Sequence, residues 1–415
     1  RKYLSEESTP KILIDLGSGI FESATVDSNI LISEKFNTQK CNLVAMDLSK
    51  EKEFLGFESY LDESIVISEC SEEIWTIASP IEQLIKRKVE VVGVPLKDWD
   101  IDINYGVKTG LSDAFIIDKS TKNKLIQNDA KSANLIEPVL RGRDIKRYTV
   151  DFQELYIISL FPAKNIDINK YPAIKEHLET FGSRLEQSGE KGSRKKTSNL
   201  WFETQDQISY HNTFSNNKLI YPDINSKLSF MYDDNSYFMT NTAYFLDTDS
   251  KYILSVLNSS PMQYYFSTIS AQLGKSGLRH FTIYIEKLPI PKVEDEVEKE
   301  FIDKANSILI LNKTLQAKKQ KFLKRVSDNF NLDKLSKKLE AFYESDFKTF
   351  LAELKKKKTT LTLMQQDEWE EYFEAYQKEL LELQTEIDAT DKQIDEMVYE
   401  LYGLSEAEVS VVEGR

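Results

Sequence analysis

The sequence predicts an α+β protein built in three successive parts. Three observations carry that expectation: short apolar alternations broken by turns in residues 1–95, a mixture of short strands and helices in 96–292, and a sustained helical repeat over 293–415. With 415 residues, 40% hydrophobic and 29% charged, the chain can bury sizeable cores and lacks the polar bias of a disordered protein. No apolar run approaches the roughly 18 residues that a membrane span requires. The opening Arg1-Lys2-Tyr3-Leu4-Ser5-Glu6-Glu7 has no hydrophobic stretch of the kind a secretory signal needs. A cytoplasmic location is expected. Because the chain starts without methionine, on residues that read as the tail of a helix, it is expected to belong to a longer polypeptide.

In the first part, Ile12 and Ile14 alternate in the manner of a strand, and Val26 and residues 30–32 do so after a turn at Gly17-Ser18-Gly19. A further short strand is expected at 64–67. Apolar residues at 74, 77, 81, 84 and 85 recur at helical spacing between Glu72 and Arg87, and Pro95 marks a break. The glycine turn at Gly17 and Gly19 also has the look of a turn that holds S-adenosylmethionine, which would make the chain a complete methyltransferase. Against that, Ile20 and Phe21 stand where a third small residue belongs, and no Asn-Pro-Pro-Tyr or Asp-Pro-Pro-Tyr follows.

The middle part reads as strands near 114–117, 155–160, 218–221 and 243–246, with helices near 172–186 and 250–258. The formal charge of −14 argues against a polyanionic partner, but its distribution does not. Residues 1–100 hold 11 basic and 19 acidic side chains, 101–292 hold 24 and 21, and 293–415 hold 19 and 28. Only the middle is basic. There Lys108, Thr109 and Gly110 form a glycine-flanked turn whose lysine suits a phosphate, although a tight turn entering a sheet explains it equally well. Arg141, Arg143, Lys146 and Arg147 place four cations within seven residues. Their arginine forks suit phosphate or the guanine edge, while a structural pair of Arg143 with Asp144 or Glu137 is an alternative. The polar loop 187–198 carries Lys191, Arg194, Lys195 and Lys196 just before Trp201 and Phe202, and is expected to be exposed and to face DNA. Lys275 and Arg279 sit in a second glycine-flanked basic loop.

From Val293 the pattern is helical. Trp369, Phe373, Tyr376, Leu380, Leu383, Ile387, Thr390, Ile394, Met397 and Leu401 follow steps of four and three, the signature of a coiled-coil seam with one polar interruption. A helix near 297–330 is its expected partner. Gly403 is expected to end the long helix, and Ser405 with Glu408 to form a capping box for a short terminal one. Two cysteines and three histidines are too few and too scattered for a zinc site or a disulfide framework. No metal site, nuclease centre or catalytic residue is expected. A purely structural coiled-coil scaffold is a further reading.

The ordered patterns at 106–110, 141–148 and the closing Leu288-Pro289-Ile290-Pro291, with the ending Val398-Tyr399-Glu400-Leu401-Tyr402-Gly403-Leu404, resemble the Eco57I and TaqI-like adenine-specific DNA methyltransferases, the modification half of type IIG restriction-modification enzymes. The resemblance implies that 1–95 are the last, edge strands of a Rossmann-like methyltransferase sheet, 96–292 a mixed α/β target-recognition domain, and 293–415 a helical coiled-coil spacer. It implies double-stranded DNA as partner, with an upstream catalytic domain of the same polypeptide supplying S-adenosylmethionine chemistry, a nuclease activity in the parent being open. The chain itself is then expected to hold no cofactor and to be inert alone. Phe21 falls where the family's aromatic residue packs on the extruded adenine, a core phenylalanine being the plainer alternative.

Overall fold

The structure is a computed structural model that describes residues 2–18, 20–21, 27–35, 42–48, 59–60, 64–67, 79–270, 272–273 and 277–415. Cys41, Cys70 and Lys275 lie outside these residues, as does Gly19. Helix α1 (Lys2–Glu7) leads into strand β1 (Thr9–Ser18), followed by β2 (Asp27–Glu34), β3 (Leu43–Asp47) and β4 (Ile65–Ile67). They form a sheet in the order β2-β1-β3-β4, with β1 antiparallel to β2 and parallel to β3. The period-2 alternation feeds both faces: Ile14 and Met46 pack with Leu48 and Tyr60, while Leu43, Ala45 and Ile67 pack with Leu13 and Ile65. The strand at Leu43–Asp47 was not among the sequence expectations, since its five residues show no clean alternation.

Gly17 sits within β1, opposite Ser28, and its N–H donates to the Asp15 carboxylate at 2.9 Å. The chain therefore passes from β1 into an antiparallel strand. A cofactor turn of the kind considered for Gly17 and Gly19 runs from a strand into a helix whose N-terminus faces the ligand. The described residues do not fit S-adenosylmethionine there.

Helix α2 (Pro80–Val92) begins on a capping box, Ser79 Oγ accepting from the Glu82 N–H and Glu82 accepting from the Ser79 N–H at 2.6 Å. Of the helix expected over 72–87, residues 72–78 lie outside the described ones. Strand β5 (Gly93–Pro95) follows, then β6 (Ile103–Tyr105). Of residues 114–117, expected in a strand, Ile116 and Ile117 belong to β7 (Ile116–Asp118), whereas Ala114 and Phe115 close a helical turn, α3 (Ser112–Phe115). Ala114 and Phe115 are adjacent and both fully buried in one core. A strand would send them to opposite faces.

The rest of the middle part comprises α4 (Lys119–Asn128), β8 (Ile136–Leu140), β9 (Ile145–Lys146), β10 (Thr149–Val150), β11 (Leu155–Ile158), α5 (Pro172–Glu179), β12 (Lys218–Pro222), β13 (Ile224–Asn225), β14 (Met231–Asp233), β15 (Phe238–Met239), β16 (Ala243–Leu246), α6 (Lys251–Asn258), α7 (Ser260–Ile269), β17 (Gln272–Leu273), β18 (Gly277–Arg279), α8 (Thr282–Ile285) and β19 (Pro289–Pro291). Two small sheets dominate, β15-β8-β11-β7 and β14-β12-β16-β6. The second holds a fully buried ion pair across its ladder, Lys218 Nζ to Asp233 at 2.5 Å, with the Phe214 carbonyl accepting from the same ammonium at 2.6 Å. Strand β19 returns to pair with β5, Pro289 opposite Pro95, closing the middle part on the segment that enters it.

The C-terminal part is helical: α9 (Asp295–Phe330), α10 (Lys337–Glu340), α11 (Phe347–Lys356), α12 (Leu363–Tyr402) and α13 (Glu406–Val412). Helix α12 has 40 residues, about 60 Å at 1.5 Å per residue. Buried residues repeat every seventh position on both long helices: Phe301, Ile308, Leu315 and Phe322 on α9, and Phe373, Leu380, Ile387 and Ile394 on α12. The helices run antiparallel, Lys304 bonding Gln393, Lys318 pairing with Glu379, and Phe330 packing against Trp369 with tilted rings. At the far end Phe342 packs on Phe322 with ring centroids 3.8 Å apart. Gly403 ends α12 in the left-handed conformation, and Ser405 and Glu408 form the expected capping box. One continuous core joins these helices to the middle part, running from Ile85 through Tyr221 and Phe266 to Tyr402. No helix among the described residues is long and apolar enough to cross a membrane.

Candidate nucleic-acid interface

Three segments of the middle part converge on the turn at 240–242. The Thr240 N–H donates to the Leu140 carbonyl at 2.9 Å and the Asn241 N–H to the Val107 carbonyl at 3.0 Å; the Thr242 carbonyl accepts from the Asp223 N–H at 2.9 Å. The Gly142 N–H donates to Thr242 Oγ1 at 2.9 Å, and the Thr240 and Thr242 hydroxyls lie 2.8 Å apart. This packing needs two glycines. A Cβ on Gly106 would lie 2.1 Å from the Thr240 carbonyl oxygen, and one on Gly142 would lie 2.3 Å from that of Thr242. The glycine at 106 thus serves approach of backbone to backbone rather than of backbone to phosphate. Next to the turn lies a cleft of about 590 Å³ whose lining includes Ser112, Asp113, Arg141, Arg143, Asn241 and Thr242.

The cations placed around this hub divide into spent and free. Arg141 forks onto Asp144, Nε and Nη2 at 2.9 and 2.8 Å, while the Arg141 N–H donates to the same carboxylate. Asp144 is therefore taken by Arg141, which corrects the pairing with Arg143 expected from the sequence. Arg143 is exposed, and its guanidinium makes no hydrogen bond or ion pair among the described residues. Lys146 is exposed and donates to the Arg143 carbonyl at 2.8 Å. Arg147 points away from the hub, onto Asp391 of α12 and the Asn258 carbonyl. Its charge is taken up in tying the middle part to the long helix, which corrects its expected place on a DNA-facing surface.

The loop 187–198 departs further from expectation. Arg194 is 3% exposed. Its Nε donates to the Leu185 carbonyl at 2.9 Å, Nη1 to those of Thr109 and Glu203 at 3.0 and 2.7 Å, and Nη2 to that of Trp201 at 2.6 Å. Burial pulls its pKa down to about 10. The loop wraps around this inward arginine, and Lys191, Lys195 and Lys196 are left exposed on its outside. Thr109 is buried with its carbonyl on Arg194, and Gly110, at φ +79°, sits against the arginine's Cδ. The segment 106–110 and the loop 187–198 are therefore one assembly. Lys108 remains exposed beside Asp206, whose carboxyl is raised by burial and held back by Lys108 and Lys195.

Arg279 pairs with Asp223 at 3.1 Å and lies over the Phe281 ring, half-buried. His280 is fully buried, Nδ1 2.9 Å from the Pro222 carbonyl, with Nε2 unpartnered. Phe21 is 59% exposed in this chain. No cluster of His, Cys, Asp and Glu able to hold a metal occurs among the described residues. Reasoning from sequence missed Asn241, Thr240 and Thr242, which carry no charge and stand in no recognisable local pattern.

Residues 137–290 match the TaqI-like C-terminal specificity domain, and residues 294–398 match a domain of unknown function, DUF8810. The chain is 23% identical over 231 residues to the type II methyltransferase M.PaeR7I of Pseudomonas aeruginosa, covering 54% of this chain and 38% of that protein. It thus spans well under half of this relative. Among solved structures it is similar to the type IIL restriction-modification enzyme MmeI in complex with DNA, at 13% identity and a TM-score of 0.49, over 99% of this chain and 46% of that one. It is also similar to the type IIG restriction endonuclease BpuSI, at 14% identity and a TM-score of 0.38, over 73% of this chain and 39% of that one. The middle part carries a TaqI-like specificity domain, as the sequence resemblance implied.

Proposed function

We propose that this chain is the DNA-recognition part of an adenine-specific modification enzyme of the type IIG kind. It holds double-stranded DNA so that an upstream catalytic domain of the same polypeptide, which binds S-adenosylmethionine, methylates the target adenine. The observation that carries this reading is the convergence of the Lys108 segment on the Arg143 loop and the turn at 240–242, both of which lie in the residues 137–290 that match the specificity family. Lys108, Arg143, Lys146, Lys191, Lys195 and Lys196 are exposed there. They supply the phosphate contacts that position a protein on a duplex.

The sheet β2-β1-β3-β4 is the edge of the Rossmann-like catalytic sheet, and exposed Phe21 replaces the stacking that an extruded adenine loses. Helices α9 and α12 form an antiparallel coiled coil, with facing seams of buried residues at heptad spacing. This coil is the spacer that fixes the recognition surface. The protein acts in the cytoplasm, where its DNA is.

The test is fluorescence anisotropy of the 415-residue chain on labelled duplexes over a range of salt. Log affinity should fall linearly with log salt, with a slope of about −0.9 for each phosphate neutralised. Binding that ignores salt, or no binding at all, overturns the reading.

A further inference from the structure

We infer that Asn241 is a base-reading residue of this protein, its carboxamide meeting an adenine in the major groove, with Arg143 beside it for a neighbouring guanine. The inference rests on the DNA-recognition reading above and goes beyond it by naming a residue that specifies sequence rather than position on the backbone.

A side chain that reads a base edge must be presented by a rigid support, must be exposed, and must not already be spent on the protein. Asn241 meets all three conditions. Its turn is fixed by the bonds from Thr240 to Leu140, from Asn241 to Val107 and from Gly142 to Thr242, and by two glycines that admit the turn's carbonyls where no side chain would fit. The residue itself is exposed, and its carboxamide makes no hydrogen bond among the described residues. The amides of Asn199, Asn225, Asn235 and Asn258, by contrast, are all engaged within the protein.

The surroundings fit a duplex. Arg143 lines the same cleft with its guanidinium unspent, whereas its neighbour Arg141 is locked onto Asp144. Lys108 follows Val107, whose carbonyl holds the turn, and both Lys108 and Lys195 act on Asp206 as point charges. Lys108 is thus a position-setting lysine next to a centre of asparagine and arginine. Those two side chains have two-pronged matches among the bases: asparagine's amide to N6 and N7 of adenine, arginine's fork to O6 and N7 of guanine. A phosphate contact would have no need of an amide with both a donor and an acceptor.

The experiment selects duplexes from a randomised pool with the full chain, with Asn241→Ala and with Asn241→Asp, then measures each protein on the selected sites and their single-base variants. Because the side chain bonds to nothing in the protein, both variants should fold, which circular dichroism checks. Asn241→Ala should lose preference at one A·T pair by roughly 5- to 150-fold and keep it at the others. Asn241→Asp, an acceptor only, should move that position toward C, whose N4 amine donates. An unchanged selected motif in both variants overturns the inference and leaves the DNA-binding reading standing. Uniformly weaker binding to every duplex overturns it too, by making Asn241 a backbone contact. Salt-dependent binding by the unaltered chain with no sequence preference also overturns it, and loss of all binding fells both readings together.

Discussion

Arg147 and Asp391 join the specificity domain to the long helix α12. The guanidinium donates through both terminal nitrogens to the carboxylate, Nη2 standing 2.7 Å from Oδ1, and also reaches the carbonyl of Asn258 at the end of α6. One turn further along α12, Asp395 accepts from the N–H and hydroxyl of Ser260 at 2.7 and 2.6 Å, capping the start of α7. Removing one partner of a buried pair strands the other, but Arg147 is 33% exposed, so the full penalty does not apply. Arg147→Ala should cost about 1–3 kcal/mol. Denaturant titration checks this, and an unchanged midpoint would show the junction to be held by packing alone.

The loop 187–198 should separate two kinds of basic residue. Arg194→Ala removes a donor from four carbonyls, of which only that of Glu203 keeps another side-chain donor, Gln187, and should cost on the order of 3–5 kcal/mol in stability. Lys195→Ala and Lys196→Ala should leave the melting temperature within a degree or two and flatten the salt dependence of DNA affinity by about one unit each. Thermal melts and anisotropy on the same three variants read both effects; a destabilised Lys195→Ala would contradict the division.

Leu380 and Leu383 belong to the same periodic pattern but differ in burial, Leu380 being fully buried and Leu383 half-buried. Leu380→Ala should cost about 2–5 kcal/mol and Leu383→Ala less than half of that. Equal losses in chemical denaturation would mean that the two leucines face the same depth of core.

The His280 imidazole makes a pH dependence whose sign is fixed by burial. Burial lowers its pKa to about 4, from the ordinary histidine value of 6.5, with the bond to the Pro222 carbonyl acting the other way. Between those values the unfolded chain binds a proton that the folded one refuses, so stability is complete above about 6.5 and falls as pH drops toward 4. The loss amounts to about 3 kcal/mol at most. Several carboxyls whose pKa values burial raises, buried Asp233 and half-buried Asp223, Asp391 and Asp395 among them, titrate with the opposite sign. The measurement is therefore the difference between the unaltered chain and His280→Asn, followed by urea denaturation from pH 7 to pH 4. A difference that does not change across this range would place the imidazole in water.

Local pattern by itself determined the elements whose signals repeat along the chain. The seven-residue recurrence of Phe373, Leu380, Ile387 and Ile394 requires a helix with one apolar stripe, and Gly403 with Ser405 and Glu408 closes it, because caps and periodicity depend only on near neighbours. Clusters of Lys and Arg in 101–292 likewise show in composition. Tertiary structure alone decided what each of those charges is for. Arg143, Arg147 and Arg194 are alike as sequence, yet one is free, one is bound to a carboxylate 244 residues away and one is buried among carbonyls contributed from as far off as Thr109. A guanidinium turns inward only where the folded backbone offers enough acceptors to replace its water, and those acceptors come from distant segments. Asn241 is the converse: an ordinary asparagine until the turn at 240–242 and its two glycines hold it at the meeting point of three loops.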